Sequence, residues 1–341
     1  MSDTKKIKIL RIINRFNIGG PVYNAILLSA YMPEEYDTLL IGGLPEKNEE
    51  NSTYIAEKYG VNPLLISEMQ REPNFKNDRK ALKKLKEIIL TYQPDIVHTH
   101  ASKAGALGRK AAFDCAVPIV VHTYHGHVFH SYFNWWKTTL FQAIEKRLAK
   151  KTTGIIAISE LQKNDLALKY KICKPEKIEI INLGLDLGPF NENKTDNRNK
   201  TRTAFGLNDS EIAIAIVGRL APIKNHDLFL KCASVIHEKT SKKVVYFIVG
   251  GGEEFTSIEE KVNALKAKGI DIRMTSWIKD INTFNAGMDI LCLTSKNEGT
   301  PVSLIEAQAA GIPFVATKVG GIKDIVSENN TGYLVDLNDS D

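Results

Sequence analysis

Short apolar, β-rich runs recur along the whole of this 341-residue chain, and helical patterns fill most of the gaps between them. The runs fall at residues 7–13, 38–41, 64–66, 95–98, 119–122, 154–158 and 178–181. They resume at 211–217, 244–249, 270–274, 289–294, 314–316 and 332–335. Most are continuously apolar rather than alternating, as expected of strands covered on both faces. Amphipathic patterns at 78–92, 136–150, 227–239 and 257–268 supply the covering helices. Strand–helix alternation of this kind predicts parallel sheets of the α/β class, doubly wound, with ligands at the carboxyl ends of the strands.

The length exceeds what one core comfortably serves, so two Rossmann-like domains are expected. An Asn-, Lys- and Asp-rich stretch separates the two series of strands. The division is therefore an N-terminal domain at 1–190, a linker at 191–204 and a C-terminal domain at 205–341. A hydrophobic content of 43% and a charged content of 25% are those of an ordinary globular protein. No apolar run approaches the roughly 20 residues of a membrane span. Charges interrupt the first apolar stretch, which reads as a strand and not a signal peptide. Cys115, Cys173, Cys232 and Cys292 lack CxxC spacing, as expected of reduced, mostly buried thiols in a cytoplasmic protein.

The charge is unevenly spread. Residues 1–190 carry 27 Lys and Arg against 20 Asp and Glu, whereas 191–341 carry 18 against 20. A basic first half suits an anionic acceptor or a negative membrane surface, and equally suits solubility alone. It has no aromatic platform or recognised module for nucleic acid, so no nucleic-acid partner is expected.

The chemistry concentrates in EGTPVSLIEAQAAGIPFVAT, where Glu298 and Glu306 stand eight residues apart. The run before it ends in Thr294 and Ser295 at a strand's carboxyl end. Pro301 suits the first turn of a helix, and Gly311 suits its end. One carboxylate thus falls in the loop at the helix start and the other two turns in, about 12 Å apart at ~1.5 Å per residue. That is near the span from a sugar ring to the ribose of a nucleotide-sugar. The helix N-terminus between them offers N–H groups to a diphosphate. Two solvated surface glutamates would be the plain alternative, but the upstream motif argues against it. Gly218 ends another strand, Arg219 follows, and Lys224 comes five residues later. Two cations there can neutralise a diphosphate without a metal.

Weaker signals accompany these. Gly250–Gly252 form a glycine turn after a strand without the GxGxxG spacing of nicotinamide binders. Gly19 and Gly20 lie between the first strand and its helix, as a ligand-approach loop or a plain turn. Six of eight histidines fall between 98 and 130: His98, His100, His122, His125, His127 and His130. Their spacing invites a metal, but Asp95 is the only nearby carboxylate, so no metal is expected. They are read as facing one crevice and hydrogen-bonding sugar hydroxyls or phosphate, with His125 foremost, and ordinary packing is the alternative.

VGRLAPIKN, GGG, SWIKD, EGTPVSLIEAQAAGIPFVAT and VGGIKDIV, in this order and spacing, resemble glycosyltransferase family 4, the retaining enzymes of the GT-B class. VHTHASKAGALGRKAA, VVHTYHGHVF, AIAISE and INLGLDLGPF extend the resemblance over nearly the whole chain, especially to bacterial surface-polysaccharide members. The resemblance implies two Rossmann-like domains with the site in the cleft between them. It implies that Gly218, Arg219 and Lys224 hold the donor diphosphate, that Glu306 accepts from the ribose hydroxyls, and that Glu298 accepts from a donor-sugar hydroxyl. The N–H groups of Gly299 and Thr300 would point at sugar or phosphate, Gly20 would lie near the diphosphate, and the base near Trp277 and Ile278. His125 would stand beside the transferred sugar, so that His125, Glu298, Arg219 and Lys224 form the reacting centre. The donor would be UDP- or GDP-linked, with no metal or other cofactor. Family members usually add helices beyond the last strand, which implies a shortened C-terminal domain here.

The implied reaction is hexosyl transfer to a saccharide or lipid-linked saccharide in polysaccharide synthesis, with retention. The basic stretches at 78–89 and 130–151 suit peripheral contact with the anionic inner face of a membrane, and equally suit ordinary amphipathic helices packing on the sheet. Two alternatives stay open: a nucleotide-sugar epimerase of similar architecture, and a catalytically silent sugar-binding or assembly subunit.

Overall fold

A computed structural model describes residues 5–46, 50–70, 74–125, 135–327 and 330–337. The chain divides into two compact units, Met1–Leu185 and Asp186–Asp341.

The first unit is a seven-stranded parallel sheet. Its strands are β1 (Ile7–Arg15), β2 (Tyr36–Gly43), β3 (Leu64–Leu65), β4 (Ile96–His100), β5 (Ile119–Thr123), β6 (Gly154–Ala157) and β7 (Ile178–Ile180). Their order is β3-β2-β1-β4-β5-β6-β7. Successive side chains of a strand point to opposite faces, and here both faces are dry. Leu10 and Ile12 pack with Ala81, Leu85, Ile89 and Ala111 on one side. Ile13 packs with Val22, Ile26 and Ala56 in a separate core. The helix Phe75–Tyr92 shows the helical version of this division. It buries Ala81, Leu85 and Ile89, spaced four apart, and its Asn74 cap accepts from the Asn77 N–H at 3.1 Å.

Polar groups also enter this core, but in matched sets. Arg109 is fully buried and donates to Glu145 Oε2 at 2.6 Å and to the Gly105 carbonyl at 2.8 Å. Tyr124 donates to the same Glu145 oxygen at 2.6 Å. Burial, then the Glu145 carboxylate, drives the Tyr124 phenol well above its ordinary range.

The second unit is a six-stranded parallel sheet of β8 (Ile212–Val217), β9 (Val244–Val249), β10 (Asp271–Thr275), β11 (Ile290–Leu293), β12 (Phe314–Thr317) and β13 (Gly332–Val335). The order is β10-β9-β8-β11-β12-β13, the doubly wound arrangement that reverses direction between its first and fourth strands. The unbroken apolar run of β8 serves two cores. Ala213, Ala215 and Val217 face one, and Ile214 and Ile216 face the other.

The stretch expected to be a linker at 191–204 is instead largely helix, Lys194–Ala204, and belongs to the second unit. Its polar sequence concealed an anchoring role. Arg202 is 3% exposed and donates to the carbonyls of Gly287 (3.3 Å) and Glu211 (2.8 Å), and to Asp289 Oδ2 (3.3 Å). Arg198 takes the other Asp289 oxygen at 2.7 Å, while Asp289 Oδ2 also accepts the Ala213 N–H of β8 at 2.8 Å. Burial opposes ionisation of Asp289, but the Ala213 N–H and the two arginines outweigh it and lower its pKa. A hydrophobicity pattern cannot reveal a helix docked through guanidinium groups and carbonyls.

The four cysteines are unpaired and half-buried rather than mostly buried. No helix among the described residues is long and apolar enough to cross a membrane.

Candidate active site

The expected donor-site residues gather at the carboxyl ends of β8 and β11, the two strands between which the order of the second sheet reverses. After β8 the chain passes Gly218 and Arg219 into a short 3₁₀ turn, Pro222–Lys224. Asn225 then takes φ 52° and ψ 53°, a left-handed conformation that asparagine tolerates better than most residues, and the helix His226–Lys239 begins. Thr294, just past β11, lies 3.1 Å and 3.0 Å from the carbonyls of Lys224 and Asn225 and donates to them. The Lys296 N–H adds a bond to the Ile223 carbonyl at 2.8 Å. One strand end is thereby stitched to the other.

These bonds deliver Lys224 to Glu298. The ammonium lies 2.6 Å from Glu298 Oε1, with side-chain exposures of 21% and 10%. Ser295 donates to the same oxygen at 2.5 Å and is itself fully buried. Thr317 of β12 fixes Ser295 by donating to its carbonyl at 2.6 Å. Arg219 is partly exposed and has no hydrogen-bond or ion-pair partner among the described residues.

Two glycine segments hold these loops by permitting close backbone contact. Gly250 has φ 143°, and a Cβ there would stand 2.0 Å from the Gly218 carbonyl oxygen. Gly320 has φ 52°, and its Cβ would stand 2.0 Å from the Glu298 carbonyl oxygen. The glycines at 250 and 320 therefore support the 218 and 298 loops.

The helix after the second loop runs Val302–Ala310, with Gly311 at φ 76° closing it as expected. Pro301 precedes the helix as its cap residue instead of occupying the first turn, and its carbonyl accepts the Leu304 N–H at 3.1 Å. The Gly299 and Thr300 N–H groups have no acceptor among the described residues. Glu306 lies just over one turn into the helix, which starts only at Val302, and not two, and it has no hydrogen-bond or ion-pair partner among the described residues. Burial alone pushes its carboxyl up to about 7. An unpartnered, partly desolvated carboxyl is poised to accept hydroxyl donors. Trp277 places its indole nitrogen beside the Gly251 turn, where a Cβ would be 3.3 Å away, and Ile278 packs at the edge of one core.

In the first unit Gly20 opens the helix Gly20–Ala30 directly after β1, with Pro21 in its first turn. The histidines, however, do not face one crevice. His98 and His100 alternate with Thr99 on β4, so Thr99 points the other way and meets His122 Nδ1 at 2.8 Å. His98, His100 and His122 are all buried and hydrogen-bonded internally, which removes them as direct substrate ligands. His98 meets Thr123 Oγ1 at 2.8 Å, and His100 Nδ1 meets His125 Nε2 at 2.8 Å. Burial, then neighbouring cations, holds the first three well below the usual imidazole range, and burial holds His125 at about 4. All four are therefore neutral at pH 7. His127 and His130 lie outside the described residues. No cluster of metal-type ligands occurs among the described residues.

Sequence reading missed Ser295, Thr294 and Thr317, because hydroxyl residues at strand ends carry no distinctive spacing. It also missed His226, which is 2% exposed, lacks a partner on either ring nitrogen among the described residues, and is lowered to about 4 chiefly by burial and then by Lys224.

The two parallel sheets with helices on both faces, and the charged switch-point loops of the second, define a two-unit GT-B-type glycosyltransferase. Residues 25–188 match the family described as Glycosyltransferase Family 4, and residues 197–341 match that described as Glycosyl transferases group 1. A UDP-Gal:alpha-D-GlcNAc-diphosphoundecaprenol alpha-1,3-galactosyltransferase of Escherichia coli is 32% identical over 284 residues, 82% of this chain and 72% of that protein. The capsular polysaccharide biosynthesis glycosyltransferase CapM of Staphylococcus aureus is 27% identical over 273 residues, 80% of this chain and 71% of that protein. Among solved structures, Anabaena Alr3699/HepE in complex with UDP and glucose shares the fold with a TM-score of 0.80 at 18% identity. That match covers 98% of this chain and 87% of the other. The chain belongs to glycosyltransferase family 4 and is a glycosyltransferase.

Proposed function

We propose that the enzyme transfers a hexosyl group from a UDP-sugar to a lipid-linked saccharide, retaining the anomeric configuration. The observation that carries the reading is the joining of the two switch-point loops through Lys224 and Glu298, beside an unpartnered Arg219 and the start of the helix Val302–Ala310. Departure of a nucleoside diphosphate builds negative charge on phosphate. Arg219, two further ammonium donors of Lys224 and the N–H groups of Gly299 and Thr300 supply the countercharge. Glu306 takes the ribose hydroxyls, Glu298 a sugar hydroxyl, and His125 the transferred sugar. With these cations in place the reading requires no resident metal, and transfer that survives exhaustive chelation is its expected behaviour.

UDP as the carrier is supported by the name of the Escherichia coli relative and by the UDP and UDP-glucose complexes of the Anabaena protein. The lipid-linked acceptor is supported by the same relative's diphosphoundecaprenol substrate. A panel of nucleoside diphosphates and nucleotide-sugars in thermal unfolding tests the donor, since selective binding raises apparent stability. UDP-sugars should raise the midpoint and adenosine and guanosine analogues should not. Anomeric analysis of the product tests retention, and conversion of donor without acceptor would instead favour epimerase activity.

Peripheral membrane contact is assigned to the outer face of the helix Phe75–Tyr92. Phe75, at the start of the helix, is 86% exposed, and Lys76, Arg79, Lys80, Lys83 and Lys86 line one surface with it. An apolar tip with a basic flank suits anionic headgroups. Of the other basic stretch, 130–134 lies outside the described residues, while Trp135–Lys151 is a helix. Co-sedimentation with anionic but not neutral vesicles is expected, and its loss in a Lys80→Glu, Lys83→Glu variant checks the assignment.

A further inference from the structure

The two oxygens of the Glu298 carboxylate are in different situations. Oε1 accepts from the Lys224 ammonium at 2.6 Å and from the Ser295 hydroxyl at 2.5 Å. A carboxylate only accepts, with about two lone-pair sites on each oxygen, so Oε1 is saturated. Oε2 has no partner among the described residues and is not sealed from solvent, on a side chain that is 10% exposed overall. Of the two oxygens, Oε2 is the one free to meet a ligand hydroxyl.

The two donors on Oε1 differ in how firmly they are held. Lys224 reaches it through a long flexible stem, and its side chain is 21% exposed. A bound diphosphate draws on the same ammonium and loosens its hold on Glu298. Ser295 has a short side chain, a single hydroxyl proton and no exposure, so no ligand competes for it. Its backbone is pinned as well. Thr317, 1% exposed, donates to the Ser295 carbonyl at 2.6 Å, and the Lys296 N–H donates to the Ile223 carbonyl at 2.8 Å. At the other end of the turn the Glu298 carbonyl accepts the Gly321 N–H at 3.0 Å. With both ends of the turn 295–298 fixed, what remains free is rotation of the Glu298 side chain, and the Ser295 hydroxyl stops it.

We propose that Ser295 is a positioning residue that holds Glu298 Oε1 independently of Lys224 and so aims Oε2 at a hydroxyl of the donor hexose. Ser295 has no exposed surface with which to touch the sugar itself. It acts through Glu298, on recognition of the hexose and not of the nucleotide. An oxygen that only accepts selects a hydroxyl and rejects an analogue lacking it. This role rests on the donor reading proposed above.

Titration calorimetry of the 341-residue chain with UDP and with a panel of UDP-hexoses separates the two parts of the donor. In Ser295→Ala the Kd for the UDP-hexose that wild type binds best should rise on the order of 10-fold, the scale of losing a group that orients a ligand contact. The Kd for UDP, which offers Oε2 no hexose hydroxyl, should stay within about 2-fold, the scatter of independent sites. A merely structural loss would weaken both ligands together. A double variant adds a second readout. With Glu298→Ala in place, Ser295→Ala should change the Kd for that UDP-hexose by less than about 2-fold, because the serine then has nothing to aim. An equal rise for UDP and UDP-hexose in Ser295→Ala overturns the proposal, as does a further loss on the order of 10-fold in the double variant. Should Glu298→Ala fail to fold, the contrast between UDP and UDP-hexose in Ser295→Ala decides alone. Wild type that binds neither UDP nor any UDP-hexose would defeat the donor reading and the proposal with it. Wild-type binding of a UDP-hexose that Ser295→Ala leaves unaltered would defeat the proposal alone.

Discussion

Lys224 Nζ lies 2.6 Å from Glu298 Oε1, although the two residues are 74 positions apart and leave different strands. The cation expected at a diphosphate and the carboxylate expected at a sugar hydroxyl orient one another. Ser295 completes the set by occupying the same carboxylate oxygen. Lys224→Met should lower kcat on the order of 10²-fold, the typical loss when one charge-stabilising donor is removed. Steady-state assays with radiolabelled nucleotide-sugar measure it. Turnover within threefold of wild type would remove Lys224 from the chemistry.

Glu306 should make both stability and nucleotide affinity pH-dependent, in opposite directions. Its folded pKa of about 7 lies above the unfolded value, so its favourable contribution is complete below about 4.5 and is lost as pH rises through 7. Glu306→Gln should therefore be more stable than wild type at pH 8, by roughly 1–3 kcal/mol. The difference should shrink toward pH 4.5, which calorimetry across pH checks. Ribose hydroxyls prefer the ionised carboxylate, so UDP should bind more tightly from pH 6 to pH 8. Titration calorimetry should find that slope in wild type and none in the glutamine variant.

Removing Glu145 should damage the first unit more than removing any surface charge. Glu145→Ala leaves Arg109 buried and uncompensated and takes the acceptor from Tyr124. A loss of about 3–5 kcal/mol is expected in urea denaturation. Glu145→Gln, which retains an acceptor oxygen, should lose less.

Alanine at Gly250 or Gly320 should loosen the donor loops from below. Each Cβ would meet a backbone carbonyl oxygen at 2.0 Å, which only a backbone shift can relieve. Nucleotide affinity should fall at least tenfold in each, while Gly60→Ala, whose Cβ would meet nothing within 4 Å, should leave it unchanged. Equal affinities in all three variants would separate these turns from the site.

Arg202→Met should lower the stability of the second unit by about 2–4 kcal/mol, because it strands the carbonyls of Gly287 and Glu211 and removes one of Asp289's three partners. A comparable change at Arg198, which is 37% exposed, should cost under about 1 kcal/mol. Equal losses would place the anchor elsewhere.

The sequence by itself determined the strands and their parallel character, and it named the charged candidates for the site. Continuous apolar runs such as β8 and β9 can be satisfied only by burial on both faces, and Gly218, Arg219, Lys224 and Glu298 fall in the loops that follow strands, where periodicity breaks, while Glu306 lies inside the helix Val302–Ala310. Tertiary structure decided what depends on partners distant in the chain. The helix Lys194–Ala204 looked like a linker because its docking groups are two guanidiniums, and several of their acceptors, on Gly287, Met288 and Asp289, lie 85 to 91 residues away. Likewise the histidines looked like one ligand-facing cluster. The strand pleat sends His98 and His100 to one face and Thr99 to the other, against His122, and burial converts three of them into internal supports. Local pattern fixes which groups a strand end offers, while only the folded backbone selects which of them remain unpaired and therefore able to bind.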